Sequence, residues 1–186
     1  MRRILALALL PALLAACAPG GTNCAALPGG AHYCLQEADG AAPFEARQKI
    51  DIAFAGRSET LIGQLEADAA GMRFAALTPL GQSLLRAEFA GGNLAAAGIA
   101  AERLDAALLL ALIQLACWDA GRVRAGLDGS AELIEAENAR TLVRDGRIVL
   151  RIGYTRGHPP AGDMEIEAPG ADVKLRVETL DEGEKE

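Results

Sequence analysis

Four cysteines, two histidines and three serines are the residues of this 186-residue chain with the most chemistry to offer. A thiol can be acylated, bridged or bound to a metal, an imidazole can move protons near neutral pH, and a hydroxyl becomes a nucleophile beside a base. Spacing decides among these. Cys24, Cys34 and Cys117 match neither zinc-ligand nor haem-attachment spacing. His32 and His158 each stand in a loop beside Pro/Gly turns, and Gly81-Gln82-Ser83 lacks the second glycine of a nucleophile elbow, as do the surroundings of Ser58 and Ser130. Glu132, Glu135 and Glu137 alternate as on a solvated edge, where nothing raises a carboxyl pKa for acid or base work. The expectation is a protein with no catalytic centre, no metal and no cofactor. Cys17 is different. It ends an apolar run, Ile4 to Ala16, interrupted by Pro11 and preceded by Arg2 and Arg3, which has the layout of a secretory signal and is too short to span a bilayer.

The end of that run, Leu14-Ala15-Ala16-Cys17, resembles the lipobox of bacterial lipoproteins. The resemblance implies cleavage after residue 16, a diacylglycerol on the Cys17 thiol and acylation of the new amine. Each buried methylene contributes about 0.8 kcal/mol, so one chain holds weakly whereas two or more make a lasting anchor. Ala18 follows Cys17 in place of the aspartate that tends to mark inner-membrane retention, so the expected location is the outer membrane, facing the periplasm.

Without residues 1–16 the formal charge falls from −7 to −9, because Arg2 and Arg3 are lost. Such a chain repels nucleic acid and anionic headgroups, so neither is expected as a partner. The 170 residues that remain suit one domain with a proper core. Export would place the cysteines in an oxidising compartment. A Cys24–Cys34 disulfide closing the AALPGGAHY loop is the leading expectation; Cys34 with Cys117, or no bond, stays open. On its apolar segment Cys117 reads as a small hydrophobe.

What must position these residues is mostly strand. In FEARQKIDIAF, residues 44–54, Phe44, Ala46, Ile50, Ile52 and Phe54 share one face with Gln48, and Glu45, Arg47, Lys49 and Asp51 share the other. TLIGQLEAD, MRFAALTP and QSLLRAEFAGG continue a meander through Gly-containing breaks. Arg47 and Arg86 on the polar face are expected in surface ion pairs. Residues 99–118, IAAERLDAALLLALIQLACW, switch to helical spacing: Leu104, Leu108, Ala111, Leu112, Leu115 and Trp118 recur on one side, yet Leu109, Leu110 and Ile113 make the helix apolar nearly all round. It must be covered on more than one side. Glu102, Arg103, Asp105 and Gln114 leave too short an apolar stretch for a membrane span.

RVRAGL and AELIEAEN then read as weak strands or connectors, and ARTLVRDGRIVLRIGY as a hairpin turning at Asp145-Gly146. MEIEAPGADVKLRVETL closes with another. The expected organisation is a cleaved signal at 1–16, a lipidated N-terminus and flexible tether at 17–32, one domain at 33–180 and a charged tail at 181–186.

LTPLGQSLLRAEFAGG, LLLALIQLACW and GRIVLRIGY resemble a bacterial family of lipoproteins of unknown function, distantly akin to the lipoprotein carrier LolA and its receptor LolB, over roughly residues 44–179. Gly81-Gln82, Phe89 to Gly92, Leu108 to Leu115 and Trp118 stand at that family's places, although Trp118-Asp119 replaces its usual Trp-Pro. Members are often encoded beside genes for fatty-acid-like synthesis. The resemblance implies an α+β fold: an incomplete antiparallel β-barrel, a curved meander sheet with the apolar helix plugging its open side. It also implies a lipid-binding cavity, to which Phe54, Phe74, Phe89, Leu108, Leu112 and Leu115 are assigned. The helix is either a lid over that cavity or part of a closed core. Expected partners are the membrane, an acyl chain or lipidated protein, and envelope transport proteins; the other outcome is a ligand-free scaffold of an envelope complex.

Overall fold

The computed structural model describes residues 23–180 apart from 55, 103, 130, 158, 160 and 161. Cys17 with the signal at 1–16, Ser130, His158 and the tail at 181–186 therefore lie outside the described residues.

Residues 23–32, expected as part of a tether, instead belong to a folded strap. β1 (Cys24–Ala26) pairs antiparallel with β2 (His32–Cys34), and Cys24 and Cys34 are joined by a disulfide at the open end. Pro28-Gly29-Gly30 makes a single 3-10 turn with Gly29 at φ 75°. A linker-like composition hides an alternation of small apolar residues: Ala25, Leu27, Ala31, Tyr33 and Leu35 are all buried. The tip fits closely, since a Cβ on Gly29 would lie 2.3 Å from Cγ1 of Val149.

The expected meander is present and longer than expected. β3 (Phe44–Phe54), β4 (Arg57–Asp68), β5 (Gly71–Leu77), β6 (Ser83–Ala90) and β7 (Asn93–Ala97) run consecutively, each antiparallel to the one before. β7 follows a two-residue turn at Gly91 (φ 55°) and Gly92 (φ 70°), the positive-φ pair that tight hairpins require. Two helices follow. α1 spans Ala106–Cys117 and α2 spans Ala120–Gly126. The chain then lays down β8 (Glu132–Ala136), β9 (Ala139–Arg144), β10 (Arg147–Arg156), β11 (Asp163–Ala168) and β12 (Val173–Thr179). Asp145 (φ 51°) and Gly146 (φ 72°) form the β9–β10 turn that the sequence marks.

β12 returns beside β3, so the ten strands make one antiparallel sheet in the order β7-β6-β5-β4-β3-β12-β11-β10-β9-β8. The edge strands β7 and β8 do not pair with each other, so this is not a closed barrel. One face is apolar: Leu65, Met72, Phe74, Leu85, Phe89, Leu142, Leu150, Ile152, Ile166 and Val177 are buried there. The other face carries ion pairs such as Arg73 with Asp68 (2.5 Å) and Glu66 (3.0 Å), and Lys49 with Asp51 (2.8 Å). Arg47 and Arg86, expected in such pairs, form none among the described residues. Both line a groove of about 480 Å³ on this polar face, with Gln64, Ala75 and Ala97.

Two helix expectations change. α1 begins at residue 106, not 99, because the Asp105 carboxylate accepts from the Leu108 N–H at 3.0 Å and caps the first turn. RVRAGL lies mostly in α2 and is not a strand. Asp119 caps it in the same way, accepting from Arg122 N–H at 3.1 Å, so the residue that departs from Trp-Pro starts the second helix. Gly126 closes α2 against β2: a Cβ there would lie 2.5 Å from Cε2 of Tyr33.

Candidate functional site

The candidate site is the apolar face of the sheet where α1 packs on it, with Leu115 against Leu133, Leu142, Leu150 and Ile152. Of the residues assigned to a cavity, Phe74, Phe89 and Leu115 are buried in one core, at 3%, 2% and 1% exposure. Leu108 and Leu112 are half-buried and pack against that core from outside. Phe54 is the last residue of β3, paired with Val173 and Arg57.

The face of α1 that meets the core is not the one on which Leu104, Leu108 and Leu112 fall. Ala106, Ala107, Leu110, Ala111, Gln114, Leu115 and Ala116 are buried, while Leu104 is 41% exposed. A helix apolar all round carries no periodicity to choose a face. Packing beneath it is close. The gap among Leu115, Leu133, Arg140, Leu142, Leu150 and Ile152 is too small to hold a water molecule. Leu115 is therefore seated directly on the sheet at this point.

Polar groups fix the helix at two places. Gln114 is fully buried, and its amide is fully used: Oε1 accepts from the Tyr33 hydroxyl (3.1 Å) and the Gln36 N–H (2.9 Å), and Nε2 donates to the Gln36 carbonyl (2.9 Å) and to Met72 Sδ (3.6 Å). Burial holds the Tyr33 hydroxyl well above the ordinary phenol range, so it stays protonated to serve as donor. In the same last turn of the helix, the Arg140 guanidinium donates to the carbonyls of Trp118 (2.5 Å), Leu115 (3.0 Å) and Ala116 (3.4 Å), and the Tyr154 hydroxyl donates to Ala116 (2.8 Å). A cation there satisfies carbonyls the helix leaves open and opposes its dipole. None of Gln114, Arg140 or Tyr154 stands out by motif; Gln114 as the one polar residue inside the apolar run was the available signal.

Cys117 is free, and burial pushes its thiol up to about 12, which leaves it without thiolate at neutral pH. His32 lies 55% exposed beside Asp128, its Nδ1 3.3 Å from the carboxylate. Among the described residues no three metal-binding side chains cluster, and no helix is long and apolar enough to cross a membrane.

A family model described as protein of unknown function (DUF3261) matches residues 45–181. The chain belongs to this family. The match takes in both helices and the sheet from the start of β3 onward, and the strap lies ahead of it. No curated protein matches the DUF3261 chain.

Proposed function

We propose that this DUF3261 protein is a non-catalytic lipoprotein, held at the periplasmic face of the outer membrane through Cys17, that takes an acyl chain or lipidated partner between α1 and the sheet and helps place it in the membrane. The observation that carries this is an apolar face on a sheet that does not close, since β7 and β8 are unpaired, covered by a helix that is apolar on both sides. An unclosed antiparallel meander with its helices inserted between the edge strands also fits a LolA/LolB-like half-barrel. The run ending in Leu14-Ala15-Ala16-Cys17 supports the anchor.

The close packing under α1 favours a second reading, the ligand-free scaffold.

Trp118, the sole tryptophan, is 3% exposed in the same core and distinguishes the two. A fatty acid brominated along its chain is expected to quench Trp118 fluorescence, saturating at one per protein. Absence of quenching, with the unbrominated acid also unbound, would support the scaffold.

A further inference from the structure

The strap does more than cover the core: its polar contacts converge on the elements that would have to move. Beyond the Gln114–Gln36 pairing, Arg122 of α2 donates to the carbonyls of Glu37 (2.9 Å) and Asp39 (2.5 Å) while its guanidinium lies 5.7 Å from the Trp118 ring centre. Tyr33 bridges to Leu127 just past α2, and the Asp128 N–H donates to the His32 carbonyl at 3.3 Å. On the sheet side, the Asn23 side chain donates to the Gly92 carbonyl and the Gly92 N–H donates to the Glu37 carboxylate, which ties both ends of the strap to the β6–β7 turn. The strap thus grips α1, α2 and the edge of the sheet at once.

We propose that residues 23–39 are a latch that sets how readily α1 and α2 leave the sheet, and that the Cys24–Cys34 disulfide holds the latch shut. This rests on the acyl-chain function proposed above only for its biological purpose; the mechanical claim stands alone. The bond closes β1 on β2 directly beside Leu35, whose N–H donates to the Asn23 carbonyl at 2.8 Å, so it keeps Tyr33, Gln36 and Glu37 in line with their partners. A chain that lacks the bond has a free first strand in the strap and looser grips on both helices.

Hydrogen exchange on the full chain separates the latch from the function. The Cys24→Ser/Cys34→Ser pair and, independently, Arg122→Ala are each expected to speed amide exchange in residues 106–126 at least tenfold while β3, β4 and β12 keep their protection. Arg122 is partly exposed and reaches the core only at the Trp118 ring. Unchanged exchange in the helices, or equal acceleration of helices and sheet, would overturn the latch. Faster helix exchange without any binding of brominated fatty acid would leave the latch standing and remove the acyl-chain function.

Discussion

Leu110→Ala is expected to lower the unfolding free energy by about 4 kcal/mol, in the upper half of the roughly 2 to 5 kcal/mol range, as for a buried leucine whose site cannot collapse. Leu110 is fully buried on the face of α1 that meets the core, and its flanking residues on that face, Ala106, Ala107 and Ala111, are already too small to fill a void. Leu112→Ala should cost clearly less, because Leu112 is half-buried on the opposite side. Urea unfolding followed by Trp118 fluorescence measures both. Equal losses for the two would mean that the helix faces the sheet differently from the arrangement described here.

The second large effect is expected from Arg140→Met, at about 2 kcal/mol. Three main-chain carbonyls at the end of α1 share this one guanidinium, which is only 15% exposed and also pairs with Glu135 at 3.1 Å. Hydrogen bonds to a charged group contribute about 1.5 to 3 kcal/mol, and methionine keeps the packing of the stem while leaving the carbonyls without a donor. Tyr154 still reaches Ala116, which limits the loss. Denaturant titration tests the size, and near-ultraviolet dichroism of Trp118 reports whether the helix end has loosened. A loss below about 0.5 kcal/mol would place the carbonyls in contact with water and make the guanidinium a surface feature.

Much of the sheet could be read directly from residues. The alternation in β3 and the Asp145-Gly146 turn each carry a local signal, period two and a positive-φ pair, that tertiary packing did not override. β7 carried none: Leu94-Ala95-Ala96-Ala97 has no polar partner to alternate with, and only the preceding Gly91-Gly92 marks it. α2 was hidden because seven residues give too few turns for a period, so its cap at Asp119 was the sole clue. The strap was misread because Pro and Gly in a short segment look like linker, while the burial of Ala25, Leu27 and Ala31 depends on partners far along the chain. The candidate site was legible in the same uneven way. Phe74, Phe89 and Leu115, expected to line a cavity, are residues of the packed core, and the facing of α1 could not be read. A helix greasy on every side is oriented by its one buried polar residue, and Gln114 points to a partner 78 residues earlier in the chain.

Whether an acyl chain enters beneath α1 is tested most directly by native mass spectrometry of the full chain, extracted in mild detergent from the membranes of its own host. The expected result is a population carrying one additional, non-covalent lipid mass, which also names the ligand class. A chain that remains bare, and stays bare after incubation with the host's lipids, would contradict the proposed function.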